Sequence, residues 1–292
     1  MYTAFLAQRH LDLDEFHNRA WSRIPGELPA CDADRYPALT RAVACAFAPG
    51  TCQEPSIGSD LTVTIQVSPP LSPSQEEHVA QLLRVQNFNV SSEGIGAGED
   101  QTLERPFGHV EPEKLFAWAG ATASWPMRTD PGGSRGLDDY LTRDYARNIG
   151  AEIMGRNKFG PQRGPWHNHE WRGWWGEVPP FRTPVFVMTH HKRPSFTLSD
   201  TTFHFVDGDP AAVLEQAREA AQGKDVRLGG GATTIRQFLD ADLVDTLHVA
   251  VSPVKLGSGV RLWESPDELL DRFHLEVVPS PSGVMHHLFW RK

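Results

Sequence analysis

Residues 225–239 read DVRLGGGATTIRQFL and contain three consecutive glycines, Gly229, Gly230 and Gly231. Residues 225–228 predict the end of a β-strand, and residues 233–239 predict the start of a helix. Glycine destabilises regular structure by about 0.5–1 kcal/mol relative to alanine, so this junction must need a bare backbone. The need is either a tight, closely packed turn or the approach of a ligand to the main chain. The stretch alone does not separate the two.

Composition restricts the class of protein. The chain has 292 residues, is 39% hydrophobic and carries a formal net charge of −9. This length allows one large core or two modest ones, and the negative charge disfavours a general nucleic-acid or anionic-membrane binder. The sequence shows no apolar run of the length that spans a membrane and no basic segment typical of a secretory signal, so we expect a cytoplasmic protein.

The first 80 residues differ from the rest of the chain. They contain the three cysteines, Cys31, Cys45 and Cys52, whose odd number and spacing predict free thiols. Residues 61–67, LTVTIQV, predict a short strand, and a Pro/Ser-rich linker follows at 68–75. We therefore interpret residues 1–80 as an N-terminal extension whose structure the sequence does not define, and residues 83–292 as the folded domain.

From residue 83 onward, predicted strands alternate with predicted helices. The predicted strands are 82–90, 151–155, 184–189, 201–206 and part of 244–257, and the predicted helices are 111–125, 137–150 with a Gly150 cap, and 209–224. The last twenty residues predict two strands around a Ser-Gly turn. This order predicts an α/β fold with a mixed, mostly parallel sheet, flanking helices and a C-terminal antiparallel hairpin.

The glycine junction has the chemistry of an anion site. Ligands of α/β sheets bind at the carboxyl ends of strands, and a helix N-terminus there offers unpaired N–H groups and partial positive charge. The stretch matches neither the dinucleotide fingerprint nor a Walker loop. However, IMGRNKFG at 153–160 and VFVMTHHKRP at 185–194 also place glycine, cations or hydroxyls after a strand. Three such strand ends indicate one ligand that carries several phosphates.

These three segments, together with NFNVSSEGIGAG at 87–98 and LVDTLHVAVSPVKLGSG at 243–259, resemble the dihydrofolate reductase-like superfamily. Within it, they are most similar to the riboflavin-pathway reductase domain, the C-terminal domain of bacterial bifunctional deaminase-reductases. The resemblance covers residues 83–292 and depends on the ordered set of motifs. It implies a dihydrofolate reductase-like fold, reductase activity and NADPH as the cofactor.

The resemblance also implies which residues contact the cofactor. The glycine junction would hold the pyrophosphate, IMGRNKFG would help from the other side, and THHK would lie near the adenosine ribose, where cations favour NADP over NAD. The implied cofactor-binding residues are Gly155, Arg156, Asn157, Thr189, His190, His191, Lys192, Gly229, Gly230, Gly231, Ala232, Thr233 and Thr234.

The loop after the first strand supplies the candidate catalytic residue. The family usually has Ser-Leu-Asp-Gly there, close to the nicotinamide, and this chain has Ser-Ser-Glu-Gly at 91–94. Glu93 is therefore the candidate polar anchor or proton relay, and the alternative is a structural carboxylate that caps backbone N–H groups. Asp138 and Asp139, at a predicted helix start, are interpreted as solvated.

A Trp-rich segment, GPWHNHEWRGWWGE at 164–177, is the most unusual part of the chain. In one interpretation Trp166, His167 and Trp171 form a wall of the substrate pocket and stack on a flat heterocycle. In the other, aromatic packing holds a surface loop in place. The spacing of its two histidines does not supply a third metal ligand, so no metal site is predicted.

The leading functional hypothesis is an NADPH-dependent reductase of a small heterocyclic substrate, most like 5-amino-6-(5-phosphoribosylamino)uracil reductase. The chain lacks the P-C-x-x-C motif of the zinc deaminases, so no deaminase domain is expected. One alternative is a dihydrofolate, pterin or carbonyl reductase, although the helix containing LFAWAGATASW has no carboxylate in its middle to meet a pterin. An alternative of another class is a non-catalytic NADPH-binding sensor or scaffold. The resemblance further implies a homodimer, and the negative net charge predicts no nucleic-acid or membrane partner.

Overall fold

The computed structural model describes residues 80–292, so the predictions for the N-terminal extension lie outside the described residues. The strands are β1 (Leu83–Val90), β2 (Ile95–Ala97), β3 (Ile149–Gly155), β4 (Val185–Met188), β5 (Phe196–Leu198), β6 (Thr201–Val206), β7 (Asp225–Leu228), β8 (Thr246–Val251), β9 (Val260–Arg261), β10 (Phe273–Pro279) and β11 (Met285–Arg291). The helices are α1 (Glu113–Gly120), α2 (Leu137–Asp144), α3 (Arg156–Phe159), α4 (Pro210–Ala221) and α5 (Ala232–Asp240), with a 3₁₀ turn at Pro266–Leu269.

Nine of the strands within residues 80–292 form one sheet, in the order β10-β11-β8-β1-β7-β3-β4-β6-β5. The strands from β8 to β6 are parallel to one another. β5 is antiparallel to β6, and β11 is antiparallel to both β8 and β10. The predicted mixed, mostly parallel sheet with a C-terminal antiparallel hairpin is therefore confirmed.

The two faces of β1 show how the helices are arranged. Leu83 and Val85 belong to the main apolar cluster, which also contains buried side chains of α4 and α5. Arg84 and Gln86, which alternate with them, both donate hydrogen bonds to Asp144 of α2. Because successive side chains of a strand point to opposite faces, α2 lies on one face of the sheet and α4 and α5 lie on the other. The predicted flanking helices are thus present on both faces.

The helix predicted over 137–150 is shorter than expected. It ends at Asp144, and Gly150 lies inside β3 rather than at a helix cap. A Cβ at Gly150 would lie 2.8 Å from Ala221 Cα, so this glycine allows the end of α4 to approach the strand closely. A packing requirement, and not helix termination, explains the glycine.

No helix in the part of the chain that the structure describes is long and apolar enough to cross a membrane. Asp209 caps the N-terminus of helix α4, since its side chain accepts a hydrogen bond from Ala212 N over 2.9 Å. Its last turn is followed by Gln222 in the left-handed conformation, with φ of 51°.

Candidate functional site

The carboxyl ends of four adjacent parallel strands meet along one edge of the sheet. These strands are β7, β3, β4 and β6. In that order they lead into the glycine junction at 229–231, GRNKF at 155–159, THHK at 189–192 and Asp207–Asp209. A cavity of about 2220 Å³ opens at this edge. Pockets for one small ligand occupy roughly 300–1,000 Å³, so this cavity has room for a large ligand or for two.

The cavity brings together most of the residues that the resemblance implied. Its lining includes Gly155, Arg156, Asn157, Thr189, His190, His191, Gly229, Gly231, Ala232, Thr233 and Thr234. Gly230 and Lys192, which were also predicted, are not among the lining residues. The structure therefore supports the proximity of these segments, while their role in holding a cofactor stays a prediction.

The three glycines of the junction have different surroundings. A Cβ at Gly229 would collide with Glu152 Oε1 and Lys158 Nζ, and a Cβ at Gly230 would lie 2.8 Å from the Phe88 ring. Gly230 also has φ of 99°, which L side chains rarely adopt. A Cβ at Gly231 would meet nothing within 4 Å. Close packing of the protein therefore explains two of the glycines, and only Gly231 leaves open space for a ligand.

Gly231 is also the N-cap of α5, with φ of −68° and ψ of −173° and no side chain that caps the helix. The first N–H groups of a helix have no intrahelical partner and attract anions. The segment before it is attached to β3, because Gly155 N donates to Gly230 O over 2.8 Å. The helix N-terminus and the GRNKF segment thus adjoin the same part of the cavity.

Arg156 is a cation with unused hydrogen-bond donors. Its guanidinium lies 4.0 Å over the ring of Trp166, which holds it in place. Its Nε and Nη2 atoms are buried and have no hydrogen-bond partner in the described residues. Burial lowers the pKa of Arg156 from its ordinary value. Buried donors without a partner are costly, so this arrangement fits an anionic ligand.

A buried group of charges lies beside Gly229. Glu152 of β3 accepts from Arg227 Nη1 at 2.5 Å and from Lys158 Nζ at 3.1 Å, and Lys158 also donates to Gly229 O at 2.9 Å. Both cations line the cavity. Two cations share one carboxylate, so this part of the cavity wall carries a net positive charge when all three groups are ionised.

The neutral side chain of Tyr145 packs beside this group of charges. The Arg227 guanidinium lies 4.0 Å over its ring, and burial raises the pKa of Tyr145 to about 12. Burial lowers the pKa of Lys158, while the neighbouring Glu152 opposes this shift.

Of Glu152, Arg227, Lys158 and Tyr145, only Lys158 stood out in the sequence. A carboxylate inside the apolar strand AEIMG and an arginine inside DVRL were the available signals, because buried charges need partners.

The THHK end of the cavity is less basic than expected. Nδ1 of His190 lies 2.9 Å from Asp207 Oδ1, so a carboxylate is present at this end. Thr189 Oγ1 accepts from His191 N at 3.1 Å. Arg193 points elsewhere and donates to carbonyl groups of the Trp-rich segment, including Trp171 O at 3.0 Å. Thr189, His190 and His191 remain the candidates for a ribose or its phosphate.

Glu93 acts as an anchor in this structure. Its Oε2 accepts hydrogen bonds from Leu256 N at 2.7 Å and Gly257 N at 3.1 Å, and the residue does not line the cavity. The N–H groups of Gly257 and Leu256 hold the pKa of Glu93 below its usual value. The geometry favours the structural carboxylate of the two interpretations, and it gives no support to a proton relay.

The Trp-rich segment forms the cavity wall with other residues than those predicted. Trp166 is buried against Phe159 and Phe205, Trp171 donates to Phe159 O at 2.9 Å, and His167 is exposed. The predicted wall of Trp166, His167 and Trp171 is corrected, because the two tryptophans pack on a second apolar cluster that includes Phe159, Phe203 and Phe205, and His167 points to solvent. The aromatic side chains of the segment that line the cavity are those of residues 174 and 175.

Asp138 and Asp139 are not a solvated helix start. Asp139 is buried and accepts from Ser124 N at 2.7 Å, and Asp138 accepts from Ser280 Oγ at 2.6 Å. Asp138 also lies 2.9 Å from Nε2 of the buried His286. These carboxylates connect α2 to the neighbouring loops and to β11, so the sequence-based interpretation was wrong. Among residues 80–292, no cluster of His, Cys, Asp and Glu is arranged to hold a metal ion.

Several solved structures are similar to this chain over 73% of its length. One is a protein from Shewanella sp. PV-4 assigned to riboflavin biosynthesis (19% identity, 99% of that chain, TM-score 0.42). Another is a pyrimidine reductase-like protein from Corynebacterium diphtheriae (14% identity, 92% of that chain, TM-score 0.41). A third is dihydrofolate reductase from Enterococcus faecalis, complexed with NADP(H) (10% identity, 96% of that chain, TM-score 0.39).

These identities and TM-scores are too low to assign an activity. No curated protein matches the chain. The family assignment depends on residues 120–279, which match the model of the RibD C-terminal domain and make up more than half of the 292 residues. The sheet has the mixed, mostly parallel strand order expected of the dihydrofolate reductase-like fold. The chain belongs to the RibD C-terminal domain family.

Proposed function

We propose that this chain is an NADPH-dependent reductase of a small heterocyclic substrate, most like 5-amino-6-(5-phosphoribosylamino)uracil reductase. The observation that carries the proposal is the pair of buried, unpartnered donor atoms of Arg156 in a cavity that also receives the open N-terminus of α5 at Gly231. Both features fit phosphate oxygens, because each offers N–H donors and positive charge that the protein itself does not use.

When bound, NADPH would supply a hydride, and the chain would bind, orient and shield it. Arg156 and the first N–H groups of α5 would hold phosphates, with the exposed Thr233 hydroxyl beside them. Thr189, His190 and His191 would hold the adenosine ribose. The positive wall formed by Lys158 and Arg227 would stabilise negative charge on either ligand.

The aromatic lining of the cavity favours a flat substrate. Phe116 and Trp125 lie in its wall together with Trp174, Trp175 and Phe181. Aromatic walls with a few charged groups are typical of sites that hold planar heterocycles. This feature favours a heterocycle over an aliphatic carbonyl compound as the substrate.

The test is NADPH binding followed by NADPH oxidation. Titration of the tryptophan fluorescence should show saturable NADPH binding, and replacement of Arg156 by leucine should weaken it by about tenfold or more. Arg236, which is exposed on α5 and does not line the cavity, provides the matched control in Arg236→Leu. The substrate panel should contain an aminouracil ribose phosphate, dihydrofolate and a simple carbonyl compound.

The outcomes separate the classes of function. Loss of NADPH absorbance with one of these compounds would support a reductase and identify the substrate class. Binding without oxidation of NADPH by any of them would favour the sensor or scaffold alternative. An absence of NADPH binding by the wild-type chain would overturn the proposal.

We also propose that the protein is a homodimer. In the part of the chain that the structure describes, β10 is an edge strand of the large sheet, paired with β11 on one side. A sheet edge with free N–H and C=O groups can pair with a second copy across a two-fold axis. Light scattering after size-exclusion chromatography should give twice the chain mass, and a monomer mass would refute this proposal.

A further inference from the structure

A chain of hydrogen bonds runs through the protein interior from α2 to β1. Asp138 Oδ1 lies 2.9 Å from His286 Nε2, and His286 Nδ1 lies 3.0 Å from His248 Nε2. At the far end, the backbone N–H of Asn87 donates to His248 Nδ1 over 3.3 Å. His286 has no exposed surface and His248 is 4% exposed. Two histidines inside the sheet thus connect a carboxylate of α2 to the main chain of β1.

The chemistry of the groups determines which atom donates and which accepts in each hydrogen bond of this chain. A backbone N–H can only donate, so His248 Nδ1 accepts and carries no proton. Neutral His248 then carries its proton on Nε2 and donates it to His286 Nδ1. By the same reasoning, His286 carries its proton on Nε2 and donates to the Asp138 carboxylate. Both histidines are neutral and have the same tautomer.

The Asn87 end of this chain lies at the ligand cavity. The pairing of β1 with β8 is interrupted between Val85 and Phe88, and Asn87 there has φ of 54°. Asn87 and Phe88 both line the cavity, and the Phe88 ring packs against Gly230. The main-chain position at this bulge therefore determines where Phe88 supports the glycine junction.

A second set of contacts holds the same bulge. Asn89 Nδ2 donates to Asn87 O at 2.9 Å, and Trp118 Nε1 donates to Asn89 Oδ1 at 2.6 Å. The Trp118 ring lies edge-on to His286, with 4.9 Å between the ring centroids. Asn87 Oδ1 is buried and has no hydrogen-bond partner in the described residues. The bulge is thus tightly held, but it keeps one free acceptor.

We propose that His248 is a positioning residue for the ligand cavity, and that Asp138 and His286 set its tautomer. His248 holds the Asn87 amide, and through it holds Phe88 against the glycine junction where the ligand phosphates bind. Protonation of His248 Nδ1 would remove the acceptor for Asn87 N–H and release the bulge. The identity of the ligand as NADPH is the part of this inference that depends on the proposed function.

The titratable groups that face His248 are few. His286 and His287 approach it from β11, and Asp138 of α2 is reached through His286. Burial, followed by the neighbouring His286 and His287, lowers the pKa of His248 well below its ordinary value. We therefore expect the hydrogen bond from Asn87 N–H to His248 to break in acid solution and the chain of hydrogen bonds to be intact at neutral pH.

The first test uses the free wild-type protein and nitrogen NMR. We expect His248 and His286 to carry their protons on Nε2 at neutral pH, and the Asn87 amide resonance to shift as His248 titrates in acid. A proton on His248 Nδ1 at neutral pH, or an Asn87 amide that does not respond, would overturn the inference. This measurement needs no ligand, so it stands even if NADPH does not bind.

The second test compares two variants of His248, each of which keeps one of its two hydrogen bonds. In His248→Asn the amide oxygen can replace the Nδ1 acceptor, whereas in His248→Gln the amide nitrogen can replace the Nε2 donor. We expect NADPH affinity to fall by about tenfold in His248→Gln and by clearly less in His248→Asn. A purely structural role predicts the reverse order, because asparagine leaves the larger cavity.

His287→Gln is the matched control for these variants. His287 follows His286 in the sequence but is outside the chain of hydrogen bonds. It is partly buried, and its Nδ1 has no hydrogen-bond partner in the described residues. Its replacement should leave NADPH affinity unchanged. If wild-type protein binds NADPH and His248→Gln binds it equally well, the positioning inference fails while the proposed function stands. If neither His248 variant folds, the NMR measurement decides alone.

Discussion

Replacement of Glu152 by glutamine should strongly destabilise the protein. Glu152 is 2% exposed, and its two oxygens each accept from a different cation, Arg227 and Lys158. Glutamine keeps the size of the side chain but has one acceptor oxygen and no charge. Arg227 cannot lose its proton, so the variant buries a cation without a counter-charge. Removal of one partner of a buried ion pair costs about 3–5 kcal/mol in free energy of unfolding.

Urea denaturation, followed by circular dichroism, measures this loss. Lys158 can limit part of the cost by losing its proton, because burial already lowers its pKa, so we expect about 3 kcal/mol. The matched control is Glu215→Gln, which removes an exposed ion pair with Arg218 on α4 and should cost less than about 1 kcal/mol. Equal effects of the two substitutions would refute the idea that Glu152 holds two buried cations.

Three further predictions concern pH, cofactor preference and the N-terminal extension. Burial lowers the pKa of His248 and His286, so their stabilising contribution is complete above their unfolded pKa of about 6.5 and is lost as the pH falls below it. The free energy of unfolding should fall there by up to about 1.4 kcal/mol per pH unit for each histidine, and a flat profile in urea denaturation would contradict this. NADPH should bind about tenfold more tightly than NADH because the Thr189 hydroxyl and the His190 and His191 side chains would meet the 2′-phosphate of the adenosine ribose, and equal affinities in fluorescence titrations would remove that assignment. A chain that begins at Gln81 should bind NADPH as the full chain does, and its aggregation would show that residues 1–80 cover core surface.

The succession of strands and helices along the chain was predictable because turn residues and apolar runs mark most elements locally. The three strand ends at Gly155, Thr189 and Gly229 could be placed together, since parallel strands bring their carboxyl ends to one edge. The reason for each glycine could not be predicted. Gly229 and Gly230 face Lys158, Glu152 and Phe88, which come from other strands and helices, and only the assembled sheet shows these contacts.

The charges and histidines inside the sheet were missed for a related reason. Glu152 and His248 lie in apolar strands, where each looked like an isolated exception. Arg227, which pairs with Glu152, is 75 residues away in the chain, and His286, which pairs with His248, is 38 residues away. A buried polar side chain requires a partner, so its presence in a strand predicts a network without naming the members. The Trp-rich segment has no regular secondary structure, and no periodicity could indicate which of its aromatic rings face the cavity.

Calorimetry of NADPH binding to Gly231→Val tests most directly whether the open N-terminus of α5 holds the phosphates. Gly231 has space for a side chain and φ of −68°, so valine should leave the fold intact at a cost of about 1 kcal/mol or less in helix capping. Gly230→Ala is the contrasting variant, because its Cβ meets Phe88 and its φ of 99° resists a side chain, and it should lower stability. We expect Gly231→Val to unfold at nearly the wild-type urea concentration but to bind NADPH at least about tenfold more weakly. Wild-type affinity in a folded Gly231→Val protein would contradict the claim that the open helix end at Gly231 holds the phosphates.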